Sequence, residues 1–465
     1  MLKVEESKID VGTPWTDDKL ERQKTADRLT KIIEDQGAPF VISLDGRWGT
    51  GKTFLLKRWQ RELENSGFQA IYFNAWEDDF CDDPLLAIIG QLTEHFQEGK
   101  LKTITARIGE VALPILTGRL LGVSLKKEDL NRRDLLADYR SQLKTKKEIR
   151  DRLTDLAGLV RKESGRPLVF IIDELDRCRP TFAIELLERV KHIFDVPNIV
   201  FVFGINRGEL VKSLESVYGE IDAGVYLRRF FDMEFILPDA DPVTFCQHLM
   251  TQFRLDKYFS DLSRVANSDI HAQDFRSLWE TLPVILGHMG LSLRDMDYCA
   301  RLIALAGKEL KDRHTIFPAV LTLLVAVKVA EPDLYRRFVQ GSARGAELID
   351  YMNDQHRRHS ASKPDSNRRD LEWVEAGIYF ADDRMGPLEQ LQLLRDGKEL
   401  TQPDLLSVAT RTMSMDDAAS KRYVNRLHEA FEWFVNRSDS IRVDYHGSGA
   451  YLADLIDLYD GTLRR

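Results

Sequence analysis

The stretch Pro39-Phe-Val-Ile-Ser-Leu-Asp-Gly-Arg-Trp-Gly-Thr-Gly-Lys-Thr53 decides how the chain folds and what it holds. Its apolar half predicts a strand, and Gly46 to Thr53 form a complete G-x-x-x-x-G-K-[ST] phosphate loop. Helical periodicity follows in Thr53-Phe-Leu-Leu-Lys-Arg-Trp-Gln60. Strand, loop and helix in that order are the context the motif requires. The glycines let backbone N–H groups turn inward around a polyphosphate, and the helix N-terminus adds favourable dipole potential. The nucleotide-holding set is therefore Gly46, Arg47, Trp48, Gly49, Thr50, Gly51, Lys52, Thr53 and Phe54. Lys52 is expected to reach the β- and γ-phosphates of ATP, and the Thr53 hydroxyl to sit on Mg²⁺.

Hydrolysis needs acids opposite that loop. Pro167-Leu-Val-Phe-Ile-Ile172 is a continuous apolar run, as expected of a strand buried on both faces of a parallel sheet. It leads into Asp173-Glu174-Leu175-Asp176-Arg177. Asp173 is assigned to the metal and Glu174 to the attacking water, which a carboxylate can orient and deprotonate. Asp176 is the alternative base. Its competing role, with Arg177, is to cap the next helix, whose apolar pattern runs from Phe182 to Phe194.

Further strands are expected at Gln69–Trp76, Asn198–Asn206 and Met233–Pro238, with helical patterns between them. One helix should start near Pro84, with Asp82 and Asp83 as caps. Such alternation implies an α/β fold: a three-layer parallel sheet, with ligands at the carboxyl ends of its strands. Residues 1–240 form this core, interrupted by a charged insertion at about 98–165. The insertion is expected to be a solvated helical excursion laced with i,i+4 ion pairs, a partner- or membrane-surface role being the other possibility. Residues 241–340 read as a helical lid, 341–370 as a mobile basic linker, and 371–465 as a mainly α-helical C-terminal region. Trp373, Phe431, Trp433 and Phe434 anchor that last region, and the run from Ile316 to Val327 predicts a buried core helix.

The composition fits a soluble, cytoplasmic protein: 43% hydrophobic and 30% charged over 465 residues, with net charge −9. That charge argues against a nucleic-acid coat, although basic clusters at 132–147 and 357–369 permit local contact. Four scattered cysteines and ten histidines show neither disulfide-framework nor metal-ligand spacing, and His356 and His359 read as solvated. The N-terminus lacks an apolar signal run, and neither Val111–Thr117 nor Ile316–Val327 reaches the ~20 residues of a spanning helix.

An additional strand between the phosphate-loop and acidic strands, with an acidic pair, points to the additional-strand catalytic-glutamate division of P-loop NTPases. Asn206, at a strand end, is placed to sense the γ-phosphate, and also where it could cap the helix from Arg207. Arg228 and Arg229 precede the last strand, where oligomeric ATPases present an arginine finger to a neighbour. The alternative is that they pair with acids such as Asp232. Arg294 resembles a lid arginine reaching back to the phosphates, and Arg22 is placed near the base.

Taken together, the tryptophan-bearing loop, Tyr72-Phe-Asn-Ala-Trp76 with Asp83-Pro84, Ile172-Asp-Glu-Leu-Asp-Arg-Cys-Arg-Pro180 and Ser292-Leu-Arg-Asp295 resemble the KAP P-loop NTPases. The likeness extends from about residue 15 to 340. It implies ATP rather than GTP, a homo-oligomer with partner proteins, and, for a prokaryotic member, a phage-defence or mobile-element setting. Many members insert transmembrane helices where residues 98–165 lie here, and often carry aspartates at the positions of Glu174 and Asn206. The alternatives are a nucleotide-gated scaffold with little hydrolysis and a nucleic-acid-responsive sensor.

Overall fold

The computed structural model describes residues 9–81, 83–120, 132–255, 281–287, 289–309, 318–359 and 374. The expectations for 360–370, for Trp373, Phe431, Trp433 and Phe434, and for Asp82 lie outside these residues. The chain divides into two compact units, one ending at Asp239 and the other beginning at Ala240.

The first unit is built in the order α1 (Arg22–Ile33), β1 (Phe40–Asp45), α2 (Lys52–Asn65), β2 (Gln69–Asn74), α3 (Pro84–His95), α4 (Gly99–Leu120), α5 (Arg132–Ser164), β3 (Leu168–Asp173), α6 (Pro180–His192), β4 (Ile199–Ile205), α7 (Arg207–Tyr218), α8 (Ala223–Leu227) and β5 (Met233–Ile236). The strands form a parallel sheet in the order β2-β3-β4-β1-β5. The fourth strand in sequence thus separates the phosphate-loop strand from the acidic strand, and β2 is an edge. Because strand side chains alternate, each central strand feeds two cores. Leu168, Phe170, Ile172, Phe201 and Phe203 pack with α3, α6 and α7 on one face. Val169, Ile171, Val200 and Val202 pack with α1 and α2 on the other.

The insertion differs from expectation. In α5, Ile149, Leu153, Leu156, Ala157 and Val160 are fully buried beside Ile108 and Ala112 of α4, within the same core as α3. The expected i,i+4 pairing is present as Arg152–Glu148 at 2.8 Å. The charge density of α5 had masked a helical apolar stripe that covers one sheet face rather than standing in solvent.

In the second unit, α9 (Pro242–Gln252) contributes Cys246, Leu249 and Met250 to a helical core. Helix Pro318–Ala330 is buried at every residue from Val320 to Val327, as its apolar run predicts. Residues 345–359, read as part of a linker, instead form a helix that buries Leu348, Ile349 and Met352. Their one-sided spacing outweighs the glycine and arginine around them. Among the described residues, no helix is long and apolar enough to cross a membrane.

Candidate active site

The phosphate loop bridges β1 to α2. Gly49 and Gly51 have φ values of 77° and 90°, a region open to glycine and costly for other residues. The Gly46 N–H donates to the Ile205 carbonyl at 3.1 Å, anchoring the loop to β4. Helix α2 starts directly from Gly51, an N-cap residue with no side chain to accept the first-turn N–H groups. Those donors and the helix dipole are the chemistry of an anion site. Lys52 is buried, and its Nζ donates to the Gly46 carbonyl and, at 3.1 Å, to the Arg47 carbonyl. Burial pulls its pKa down, while Asp176, Asp173 and Asp45 oppose that shift.

Asp173 closes β3 and is 1% exposed. Its carboxylate receives the Tyr72 hydroxyl at 3.0 Å and the Glu174 N–H at 2.9 Å, and the nearby Thr53 side chain also favours its charged form. Burial still pushes its pKa up. A buried carboxylate near the loop's threonine hydroxyl is a donor set that fits Mg²⁺, a cation that takes few protein oxygens and leaves the rest to phosphate and water. The neighbouring strand makes room for this carboxylate with a glycine. Gly204 faces Asp173 in register, and a Cβ there would meet Asp173 Oδ1 at 2.6 Å and Leu56 Cδ1 at 2.5 Å.

Glu174 follows in a left-handed conformation, φ 61°, which takes its side chain off the strand line. Arg177 Nη1 lies 3.1 Å from its Oε1, while the Asn74 amide donates to Glu77 Oε1 at 2.8 Å. Burial raises its pKa, opposed chiefly by Arg177. Arg177 also lies over the exposed Trp76 ring, 5.4 Å from its centroid.

Asp176 does not cap the next helix. Helix α6 starts at Pro180 after Arg179, without a side-chain cap. Asp176 is instead buried, with Oδ2 accepting from Trp48 Nε1 at 2.5 Å and Oδ1 from the Asn206 N–H at 2.9 Å. Both its oxygens are engaged, tying the phosphate loop, the acidic motif and the end of β4 together. Asn206 does occupy the N-cap position of α7, but its side chain makes no capping bond. The first N–H of α7, on Arg207, goes to Asp45 Oδ1 at 2.9 Å.

Arg228 and Arg229 follow α8 and are exposed. Asp232 does not hold them: its Oδ2 accepts the Val41 N–H at 2.9 Å. Arg294 lies in the second unit, in the first turn of helix Leu293–Glu309. Phe54 stacks beneath the Arg58 guanidinium, 3.5 Å from the ring centroid, and Arg58 in turn pairs with Asp17. Arg22 is buried; Nη1 donates to the Pro238 carbonyl at 2.5 Å and Nη2 to the Thr50 carbonyl at 2.9 Å.

A family model for the KAP family P-loop domain matches residues 22–303, more than half of the chain. The chain belongs to the KAP family. No curated protein matches it. Among solved structures, the Aeropyrum pernix ORC2 protein in its ADPNP–ADP complexes is 13% identical, covering 90% of this chain and 95% of that one, with TM-score 0.30. C. elegans PCH-2 is 15% identical over 67% of this chain and 68% of that one, TM-score 0.28. Drosophila ORC bound to GC-rich DNA and Cdc6 is 13% identical over 94% and 73%, TM-score 0.29. Similarity at this level carries no argument about the KAP chain.

Several contributors to this KAP site are given no individual role by the sequence, although Asp45, Tyr72 and Asn74 stand within its motif stretches. Tyr72, Asn74, Asp45 and Gly204 act through strand register, across 101 positions in the case of Tyr72 and Asp173. Gly204 leaves a local trace of its role, as an isolated glycine inside an apolar strand, which signals close backbone approach.

Proposed function

We propose that this KAP protein binds and hydrolyses ATP with Mg²⁺, using nucleotide state to drive assembly or partner activation. The observation that carries the proposal is the phosphate loop with Gly49 and Gly51 at positive φ, joined to the buried pair Lys52 and Asp173. Thr53 and Asp173 would hold the metal, which when bound neutralises charge on the β- and γ-phosphate oxygens. Lys52 binds the phosphates. Glu174 orients and deprotonates the attacking water; Asp176, with both oxygens engaged, positions Trp48 and Asn206 instead. The Asn206 amide meets the γ-phosphate without adding negative charge. Arg229, with Arg228, serves a neighbouring subunit's site in a homo-oligomer, and Arg294 contributes from the lid. A prokaryotic anti-phage or mobile-element setting rests on family resemblance.

A nucleotide-gated scaffold with slow turnover is the second reading. The ion pair of Glu174 with Arg177 favours it, since a carboxylate held by a guanidinium must be released before it can orient the attacking water.

Steady-state hydrolysis by wild type and Glu174→Gln, run beside light scattering with and without ATP, separates the two. Turnover that falls by ~10² or more in the variant, with ATP binding intact, supports an ATPase with Glu174 as base. Normal turnover in the variant rules Glu174 out. Tight binding without wild-type turnover supports the scaffold. Mixing Arg229→Ala with Lys52→Ala subunits should restore activity where neither acts alone; no recovery at any ratio removes the finger in trans.

A further inference from the structure

We infer that Arg22 is a positioning residue that orients the Thr50–Gly51 peptide of the phosphate loop and fastens it to the chain leaving the first unit. Arg22 opens α1 and is 3% exposed. Its guanidinium fork spans two carbonyls far apart in sequence, Thr50 in the loop and Pro238 just beyond β5. In a trans peptide the carbonyl and the following N–H point in opposite directions. Holding the Thr50 carbonyl toward Arg22 therefore turns the Gly51 N–H away from it. With Gly51 at φ 90°, the loop has little side-chain resistance to flipping this peptide, so an external anchor decides its direction.

The second arm has a different consequence. The second unit begins at Ala240, two positions after Pro238. The chain between is tied to the loop's own strand, since the Leu237 N–H donates to the Asp45 carbonyl at 2.8 Å. A Cβ on Gly46 would meet Leu237 Cβ at 3.4 Å. One guanidinium thus clamps the cradle and the connection to the helical unit. Asp18 and Asp239 supply the compensating charge, and Nε is buried with no hydrogen-bond partner among the described residues. A group that accepts this desolvation for two backbone carbonyls is suited to transmit loop geometry to the connection. A lysine is a poor replacement: two carbonyls met by separate guanidinium nitrogens are not both matched by a single ammonium atom.

The inference rests on the nucleotide reading of the loop, and the experiment distinguishes the two. Binding of a non-hydrolysable ATP analogue with Mg²⁺ is titrated for wild type, Arg22→Lys and Arg58→Lys, and backbone hydrogen exchange is followed with and without it. Arg58 pairs with Asp17 and touches neither carbonyl, so its variant reports general loss of packing. Arg22→Lys should weaken binding about tenfold, the loss of one charge-assisted hydrogen bond, and raise KM more than it lowers kcat. It should also abolish nucleotide-dependent slowing of exchange at 238–252, while Arg58→Lys keeps both properties. Unchanged affinity and unchanged protection in Arg22→Lys overturn the inference. Should that variant not fold, wild type decides: slowing at 46–53 and 238–252 together supports the clamp, and slowing confined to the loop overturns it. Wild-type protein that binds no analogue overturns the nucleotide reading itself.

Discussion

Helices α2 and α3 both follow strands of one sheet, and they start in opposite ways. Helix α3 has Asp83 as its N-cap, accepting the Leu85 N–H at 2.9 Å, with Pro84 in the first turn. Helix α2 starts from Gly51 with no side-chain acceptor. Two helices of the second unit follow the α3 pattern, whereas helix Pro332–Val339 has no side-chain cap. Asp241 caps α9 through the Thr244 N–H at 3.0 Å, and Ser292 and Asp295 cap helix Leu293–Glu309 reciprocally, each taking the other's N–H at 3.2 Å. A capping carboxylate satisfies an orphan donor and suits the positive end of the dipole, but repels any other anion there. By leaving α2 uncapped, the chain forgoes about 1 kcal/mol of local stability and keeps its donors for a phosphate.

The largest way to break this contrast is Gly51→Asp. It places a carboxylate where the anion should bind, at a φ of 90° that a side chain resists. Nucleotide affinity should fall at least ~100-fold, from charge repulsion and lost loop geometry together, as read by calorimetric titration. Affinity within threefold of wild type would show that the α2 N-terminus is not the phosphate site.

A smaller effect sharpens the other side. Asp83→Ala should lower the stability of the first unit by about 1–2 kcal/mol in denaturant unfolding, with Asp83→Asn recovering much of it through a neutral cap. Nucleotide affinity should remain unchanged in both, because the partners of this carboxylate, the Leu85 N–H and Arg189, lie on α3 and α6 rather than on the phosphate loop; a parallel loss of affinity would tie Asp83 to the site. The smallest effect is Ser292→Ala, which removes half of a reciprocal cap. It should cost about 0.5–1 kcal/mol in the second unit. If Arg294 acts from this helix, turnover should fall further than stability does; matched changes would leave Ser292 a cap alone.

The strands and the phosphate loop were legible because backbone hydrogen bonding imposes short periods that apolar residues must match. Pro84, Asp83 and the run ending at Asp173 announced element ends with residues of known terminal preference. Helix α5 was misjudged because its buried positions, from Ile149 to Val160, are interleaved with charge; only their 3–4 residue spacing betrays them. The capping alternative for Asp176 fails for another reason. A carboxylate before a helix looks like a cap, and its actual donors, Trp48 and Asn206, stand 128 and 30 positions away.

By itself, the sequence determined that a glycine-rich loop joins a buried strand to a helix, that an acidic strand accompanies it, and that the family is KAP. Local chemistry suffices for that: positive φ, dipole ends and buried apolar runs depend on neighbours in the chain. The tertiary structure alone decided that β4 intervenes between β1 and β3, that Gly204 leaves room for Asp173, and that Arg22 reaches Thr50 and Pro238. Those facts follow from the order in which strands pair and the register they adopt. No local window contains that information, because each pairing is settled by the burial of both faces of the whole sheet.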